Sequence, residues 1–581
     1  MKQSKGGTII EIKDLWYTYP GRTEPTLKGI DLKIEEGEFV LLTGPTGCGK
    51  STLLKTLNGI IPHESGGIFS GSIKIAGIET AYSNQMELSR RVGLVFQNPD
   101  DQIFSTTVED EVAFGPENLC MKREEIDKKV GEALRMVGMP GHRLSSTNAL
   151  SGGQKQRICI ASMLAMMPEI LAMDEPVSQM DPVGTQEILN TVKELNRKMK
   201  ITILLVEHRL HELAPFVDRV VIMDSGKIIF DQPASKAFDH LEVFHRLGLR
   251  VPEPVELCHT LGIKASPFSA EETFPLLNTG YFKEKTKMYL TRPATEKKIN
   301  SMGCSAENTE PLISIRDLWS GYDKNRMVLK DINLEIRRGE RVAVMGTNGS
   351  GKSTLLLNLA AMLKPYKGSI KVFGEDTKSK NPYSFAGRIG FVFQNPDLML
   401  FCDSAEEEAR FGPVQLKFEN IEERARISLE AMSILNLKQD LPQSLSRGQR
   451  LRTAVASVLS IDPELILLDE PTTGQDRVNI DQMMDYFKNK GSTLVFCTHD
   501  IEIAMLYSTR ILVMNEGQII ADGKGRDVIK NIDILRKASL TQPPVVEIAN
   551  YLGIDAFSIT ELVETLIRRN PEGINVEGIK C

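Results

Sequence analysis

Phe39-Val40-Leu41-Leu42-Thr43-Gly44-Pro45-Thr46-Gly47-Cys48-Gly49-Lys50-Ser51-Thr52 decides the fold, and Val342-Ala343-Val344-Met345-Gly346-Thr347-Asn348-Gly349-Ser350-Gly351-Lys352-Ser353-Thr354 repeats it later in the chain. A short apolar run, a glycine-rich loop and a leucine-rich segment read as strand, loop and helix, twice. Both loops fit the phosphate-loop pattern. Glycines let successive backbone N–H groups point inward at phosphate oxygens, and the following helix N-terminus adds a favourable dipole. Lys50 and Lys352 would reach β- and γ-phosphates, and the hydroxyls of Ser51 and Ser353 would ligate Mg²⁺, with Thr52 and Thr354 completing the nucleotide-binding set. One such match arises by chance in about 2% of chains this size, and two, each behind an apolar strand, on the order of once in a thousand.

The search for internal repeats extends the match far beyond the loops. Leu15-Trp16 with Tyr19 recurs as Leu318-Trp319 with Tyr322, Phe96 to Asp100 recurs as Phe393 to Asp397, and Asp174-Glu175-Pro176 recurs as Asp469-Glu470-Pro471. The order of features is the same throughout, while the separation of matched positions shrinks from 303 residues at Leu15 to 291 at His208 and His499. This is tandem duplication with small deletions in the second copy. The match continues past the last motif, because Pro252, Glu256, Leu261 and Gly262 correspond to Pro543, Glu547, Leu552 and Gly553. Each copy therefore carries its own C-terminal appendage. Between the copies, 281–310 is polar and reads as linker.

Composition sets the outer bounds. A chain of 581 residues is too long for one core and allows about three to five domains. Apolar residues at 41% and charged residues at 25% suit folded globular domains, and 70 basic against 77 acidic residues leave a net charge of −7. There is no basic surplus to hold a polyphosphate backbone, so nucleic acid is disfavoured as the main partner. No apolar run approaches the length of about 20 residues that a membrane span needs, and no signal-peptide region follows Met1-Lys2-Gln3, so a cytoplasmic location is expected. The eight cysteines form no Cys-x-x-Cys pair and read as buried or free thiols.

Ile170-Leu171-Ala172-Met173 and Leu465-Ile466-Leu467-Leu468 are apolar runs that each end in Asp-Glu, as buried parallel strands do where ligands bind at strand ends. Asp174 and Asp469 would hold Mg²⁺ through a water. Glu175 and Glu470 suit a different task, polarising the water that attacks a γ-phosphate. His208 and His499 follow further apolar strands, where a neutral imidazole could hydrogen-bond that phosphate.

Leu150-Ser151-Gly152-Gly153-Gln154 and Leu445-Ser446-Arg447-Gly448-Gln449 lie the same distance ahead of each Asp-Glu, and they resemble the signature motif of ATP-binding-cassette (ABC) ATPases. Gln97 and Gln394 are similar to that family's Q-loop glutamine, Ser178-Gln179-Met180-Asp181 and Thr473-Gly474-Gln475-Asp476 to its D-loop, and His208 and His499 to its switch histidine. The resemblance covers both copies, most of the chain. It implies an α/β fold with two P-loop NTPase domains, each with a helical subdomain and a small C-terminal appendage. On that plan, 1–235 and 311–525 are the ATPase domains and 236–280 and 526–581 the appendages. It also implies ATP and Mg²⁺ as ligands, with Gln97 and Gln394 added to Ser51, Asp174, Ser353 and Asp469 around the metal. Each ATP would lie between the phosphate loop of one copy and the signature of the other, where Ser151, Gly153 and Gln154, or Ser446, Gly448 and Gln449, close over the γ-phosphate. Tyr19 and Tyr322 occupy the place where the family stacks an aromatic on adenine, though each equally fits a core aromatic on an early strand. Arg447 replaces the first signature glycine and Thr473 the D-loop serine, so two active sites of unequal rate are expected, with a binding-only first site as the alternative.

Phe96-Gln97-Asn98-Pro99-Asp100-Asp101-Gln102-Ile103-Phe104, followed by Phe114-Gly115-Pro116, is similar to the ATPases of energy-coupling-factor importers, which take up vitamins and transition-metal ions. The second copy has Leu398-Met399-Leu400 in place of Asp101-Gln102-Ile103 before Phe401, then Phe411-Gly412-Pro413. The chain then resembles a fused pair of such ATPases. Its partners would be integral membrane scaffold and substrate-capture subunits, and its place the cytoplasmic face of the cell membrane. Phe104 and Phe401 either line a groove for a scaffold helix or simply pack the helical subdomain. The alternatives are the ATPase of a conventional ABC transporter and a soluble ABC ATPase acting on ribosomes or nucleic acid. The latter is disfavoured, because 47 residues from Lys50 to Gln97 and 54 from Gln97 to Ser151 leave no room for a long inserted coiled coil.

Overall fold

Apolar runs of four or five residues that end in glycine or acid are too short for helices, and burial on both faces makes them interior strands of a sheet. In the computed structural model, which describes residues 7–177, 180, 182–277, 310–323 and 326–569, Phe39–Thr43 is such a strand, fully buried along its length. It sits inside a six-stranded sheet ordered Lys227–Pro233, Arg219–Asp224, Phe39–Thr43, Thr202–Val206, Ile170–Asp174 and Val92–Val95. All neighbours are parallel except the antiparallel edge strand Lys227–Pro233. The strand's two-residue period sends Val40 and Leu42 into one apolar core and Phe39 and Leu41 into another. Helices therefore cover both faces.

The chain divides into two units, Met1–Ser269 and Ala270–Cys581. The second repeats the sheet in the order Ile389–Val392, Leu465–Asp469, Thr493–Cys497, Arg341–Met345, Arg510–Asn515 and Gln518–Gly523. Each unit adds a four-stranded antiparallel sheet, built around Thr8–Thr18 in the first and Ile313–Asp323 in the second. Each also has a helical layer in which Val108–Asn118 and Arg123–Met136 pack on Gly152–Ala165, or Ala405–Gln415 and Ile421–Ala431 on Arg447–Leu459. The chain is thus α/β with one domain plan built twice.

After Pro233 the first unit continues in short helices around an aromatic cluster of Phe238, Phe244 and Phe268. The next helix, Ala270–Leu277, belongs to the second unit. There it packs on Pro544–Tyr551, with the rings of Phe274 and Tyr551 stacked 4.2 Å apart at 19°. Residues 281–309 of the expected linker lie outside the described residues, as do Ser178, Gln179 and Asp181. Among the described residues no helix is long and apolar enough to cross a membrane.

Candidate active site

The phosphate loops follow their strands in a backbone path that only glycine follows without strain. Gly44 has φ 148°, and a Cβ there would lie 2.0 Å from the carbonyl oxygen of Met223; Gly346 repeats this with φ 146° and 2.2 Å to Met514. Lys50, at the start of the helix Lys50–Leu57, is buried, and its Nζ donates to the carbonyls of Gly44 at 2.8 Å and Pro45 at 2.9 Å. Lys352 does the same to Gly346 at 2.8 Å and Thr347 at 3.1 Å, and stands 3.7 Å from Glu470. A buried ammonium held across the loop is placed for phosphate oxygens. Pro45, Thr46, Gly47, Cys48 and Gly49 complete the first loop, and Asn348, Gly349, Ser350 and Gly351 the second. Cys48 is buried, and burial pushes its thiol pKa up.

Asp174 and Asp469 end their strands beside these loops, hydrogen-bonded to the Ser51 and Ser353 hydroxyls. Burial, with the neighbouring glutamate adding to it, pushes each carboxyl up to about 6. Asp469 Oδ1 is buried with no hydrogen-bond partner. Hydroxyl and carboxylate oxygens at this point fit Mg²⁺, a hard cation. Among the described residues no group of three or more His, Cys, Asp or Glu could hold a metal ion.

Glu175 and Glu470 turn sharply off the strand ends in the left-handed region, at φ 45° and 49°. Non-glycine residues are seldom found there, and such strain gathers at functional sites. The turn buries both carboxylates and aims them at histidine. Glu175 Oε1 lies 2.9 Å from His208 Nε2, and Glu470 Oε2 lies 3.0 Å from His499 Nδ1. Gln97 joins the first cluster, its Nε2 donating to Glu175 at 2.5 Å. Gln394 is half-buried at the matching position.

The signature serines cap helices. Ser151 Oγ accepts from the N–H of Gln154 at 3.3 Å while Gln154 Oε1 accepts from the N–H of Ser151 at 2.9 Å, and Ser446 with Gln449 forms the same reciprocal pair. Gly153 and Gly448 lie in these first turns. In the second copy Gln475 ties the D-loop to the signature by donating to the Gly448 carbonyl at 2.7 Å.

In the first copy the core aromatic is Tyr17, fully buried. Tyr19 is edge-on to it at 4.8 Å, with its hydroxyl 3.2 Å from that of Thr52, and Tyr322 is 63% exposed with its hydroxyl 3.4 Å from that of Thr354. Both therefore stand beside the loop helices. Phe104 and Phe401 are 60% and 63% exposed, each edge-on to a second phenylalanine, Phe114 at 4.3 Å and Phe411 at 4.9 Å. Filling the core is not their role. In the second copy Phe401 and Phe411 line a groove of about 390 Å³ with Tyr383, Phe393 and Met399.

Sequence reasoning missed the acids that hold these parts in place. Buried Glu111 accepts from the N–H groups of Phe104 at 3.1 Å and Ser105 at 2.9 Å, and Glu408 does so from Phe401 and from Cys402, the latter at 2.6 Å. Glu207, beside His208, is also buried. In sequence each looks like an ordinary solvated acid on a helix or at a strand end.

The pattern of the ABC transporter family matches residues 27–178 and 329–473, more than half the chain and both copies of the loop. The chain belongs to the ABC transporter family. Along its full length this ABC ATPase is 85% identical, over 581 residues and 100% of each chain, to a protein of Methanosarcina mazei named as an ABC transporter ATP-binding protein. It is 33% identical over 546 residues, 93% of this chain and 96% of the other, to a Bacillus subtilis protein named YkoD, an HMP/thiamine import ATP-binding protein. Among solved structures, cbiO1 from Clostridium perfringens, described as part of the ABC transporter complex cbiONQ, is 35% identical with TM-score 0.38, over 43% of this chain and 99% of that one. The chain is an ATP-binding ABC ATPase.

Proposed function

We propose that this chain is the ATP-hydrolysing motor of an energy-coupling-factor importer for vitamins or transition-metal ions, docked on the cytoplasmic face of the membrane through integral membrane scaffold and substrate-capture subunits. The observation that carries this reading is the exposed phenylalanine pair beside each Q-loop, Phe104 with Phe114 and Phe401 with Phe411. Exposed aromatic pairs held by buried glutamates mark a protein contact, and the groove at Phe401 suits an amphipathic helix. The likeness to an HMP/thiamine import ATP-binding protein supports the cargo class.

In this reading the two copies share their ATP, each phosphate loop working with the other copy's signature. Lys50 and Lys352 hold β- and γ-phosphate oxygens, and Ser51, Gln97 and Asp174, or Ser353, Gln394 and Asp469, hold Mg²⁺, which neutralises phosphate charge when bound. Glu175 and Glu470 accept the proton of the attacking water. His208 and His499, already bonded to these carboxylates, orient them and reach the γ-phosphate. ATP favours the closed pair, and hydrolysis releases it, which gives the stroke that moves a scaffold helix. Two measurements test the proposal. Turnover should fall at least about a hundredfold in the Glu175→Gln, Glu470→Gln double variant. Integral membrane proteins should co-purify with the intact chain, and recovery of ribosomes without them would overturn the transporter reading.

A further inference from the structure

Glu207 is a buried acid with no task in this scheme. It is 1% exposed, and burial pushes its carboxyl up to about 8 against the opposing charge of Arg209. Its two oxygens accept from two backbone N–H groups, Oε1 from Val177 at 3.2 Å and Oε2 from His208 at 3.1 Å. Arg209 grips the same residue from its other side, donating to the Val177 carbonyl at 2.5 Å. Both backbone groups of Val177 are thus held by the residues that flank the histidine. Val177 is two residues past Glu175, and Glu175 returns to His208 through its side chain at 2.9 Å and to Val206 through its N–H at 2.9 Å. The result is a closed ring of Glu175, Pro176, Val177, Glu207 and His208.

The second copy is wired differently. Thr498 stands in place of Glu207 and Asp500 in place of Arg209. Thr498 Oγ1 accepts from the N–H of Asp500 at 3.0 Å, and Asp500 caps the following helix by accepting from Ile503 at 3.1 Å. A threonine hydroxyl is also two bonds short of the reach of a glutamate carboxyl. There the histidine meets its glutamate through Nδ1 instead of Nε2.

We propose that Glu207, seconded by Arg209, is a positioning residue of the first copy: by locking Val177 to the backbone of His208 it fixes the distance between His208 and Glu175, a device the second copy replaces with Thr498. This rests on the reading of Glu175 as base. A carboxylate held in one orientation meets the attacking water without searching for it, and small misplacements of a base cost rate more than affinity. The effect should therefore appear in kcat and spare KM.

The test uses the full chain with Glu470→Gln, so that turnover reports the first copy's glutamate. Glu207→Thr in that background should lower kcat about tenfold and leave the KM for ATP within about twofold. Glu207→Gln keeps one accepting oxygen but turns an amide NH₂ toward the other backbone N–H, so it loses one of the two bonds and its kcat should fall between those of the parent and Glu207→Thr. Arg209→Gln, which frees the Val177 carbonyl without opening the core, should lower kcat in the same direction, and it carries the test if Glu207→Thr fails to fold. Parental kcat in both Glu207→Thr and Arg209→Gln overturns the proposal, and so does a threonine variant whose KM rises as much as its kcat falls. No turnover in the Glu470→Gln parent also overturns it, while leaving the ATPase assignment to be judged on Glu470. Failure of the base reading itself shows separately, as unchanged turnover in Glu175→Gln with Glu470→Gln.

Discussion

Asp469→Asn should make the ligand-free protein more stable and useless for hydrolysis at once. The wild-type carboxyl is 5% exposed, has one oxygen without a hydrogen-bond partner, and titrates at about 6 instead of its ordinary 3.8. Two units and a little more, at about 1.36 kcal/mol each, mean that holding this group ionised costs the folded state about 3 kcal/mol at neutral pH. The sign follows from proton uptake. The folded state binds the proton more tightly than the unfolded chain does, so the cost is fully present above about pH 6 and is relieved as pH falls from 6 toward 3.8. It should halve by about pH 5. Asparagine removes the charge but brings an amide that must find an acceptor, leaving a net gain of about 1–2 kcal/mol. That is a rise of a few degrees in the melting midpoint for a unit of this size. Thermal melts of the two proteins in chelator, without nucleotide, at about pH 7.5 and 5 give the measurement. A midpoint for Asp469→Asn below wild type at pH 7.5, or a difference that ignores pH, would falsify the account. Addition of Mg²⁺ and ATP should raise the wild-type midpoint and move the variant far less.

Other expectations follow from single distances. Gly44→Ala places a methyl 2.0 Å from a backbone oxygen and should abolish nucleotide binding, whereas Gly47→Ala, at φ 83° with open space around it, should cost only the backbone strain of about 1–2 kcal/mol; binding of a fluorescent ATP analogue separates them. Tyr19→Ala with Tyr322→Ala should raise the KM for ATP about fivefold, the worth of about 1 kcal/mol of stacking at each ring, with kcat unchanged in steady-state assays. Phe401→Asp should release the membrane partners in pull-downs while basal turnover stays within about twofold, because the exposed ring supports little of the core.

The duplicated strand, loop and helix were legible because their signals are local. A phosphate loop needs glycines within a few residues, and an interior strand needs an unbroken apolar run; Gly44 to Ser51 and Phe39 to Leu42 carry both in adjacent positions. The helix start at Ser151 is equally local, since Ser151 with Gln154 is a capping pair three residues apart. Tyr19 and Phe104 could not be settled this way. An aromatic beside a motif has the same letters whether it packs on a core or faces solvent, and only the tertiary neighbours show that Tyr19 packs on buried Tyr17 while Phe104 stays largely exposed against Phe114.

The sequence by itself determined that two ATPase domains stand on one chain, because strand, glycine loop and helix start reside in short spans of backbone chemistry. The tertiary structure alone decided that Gln97 and His208 converge on Glu175 and that Glu207 is buried against Val177. It also decided that the helix Ala270–Leu277 packs with Pro544–Tyr551. Parallel sheets place strand ends side by side whatever their distance along the chain, and burial, which gives an acid its shifted affinity for protons, is a property of the assembled neighbours and of no single residue.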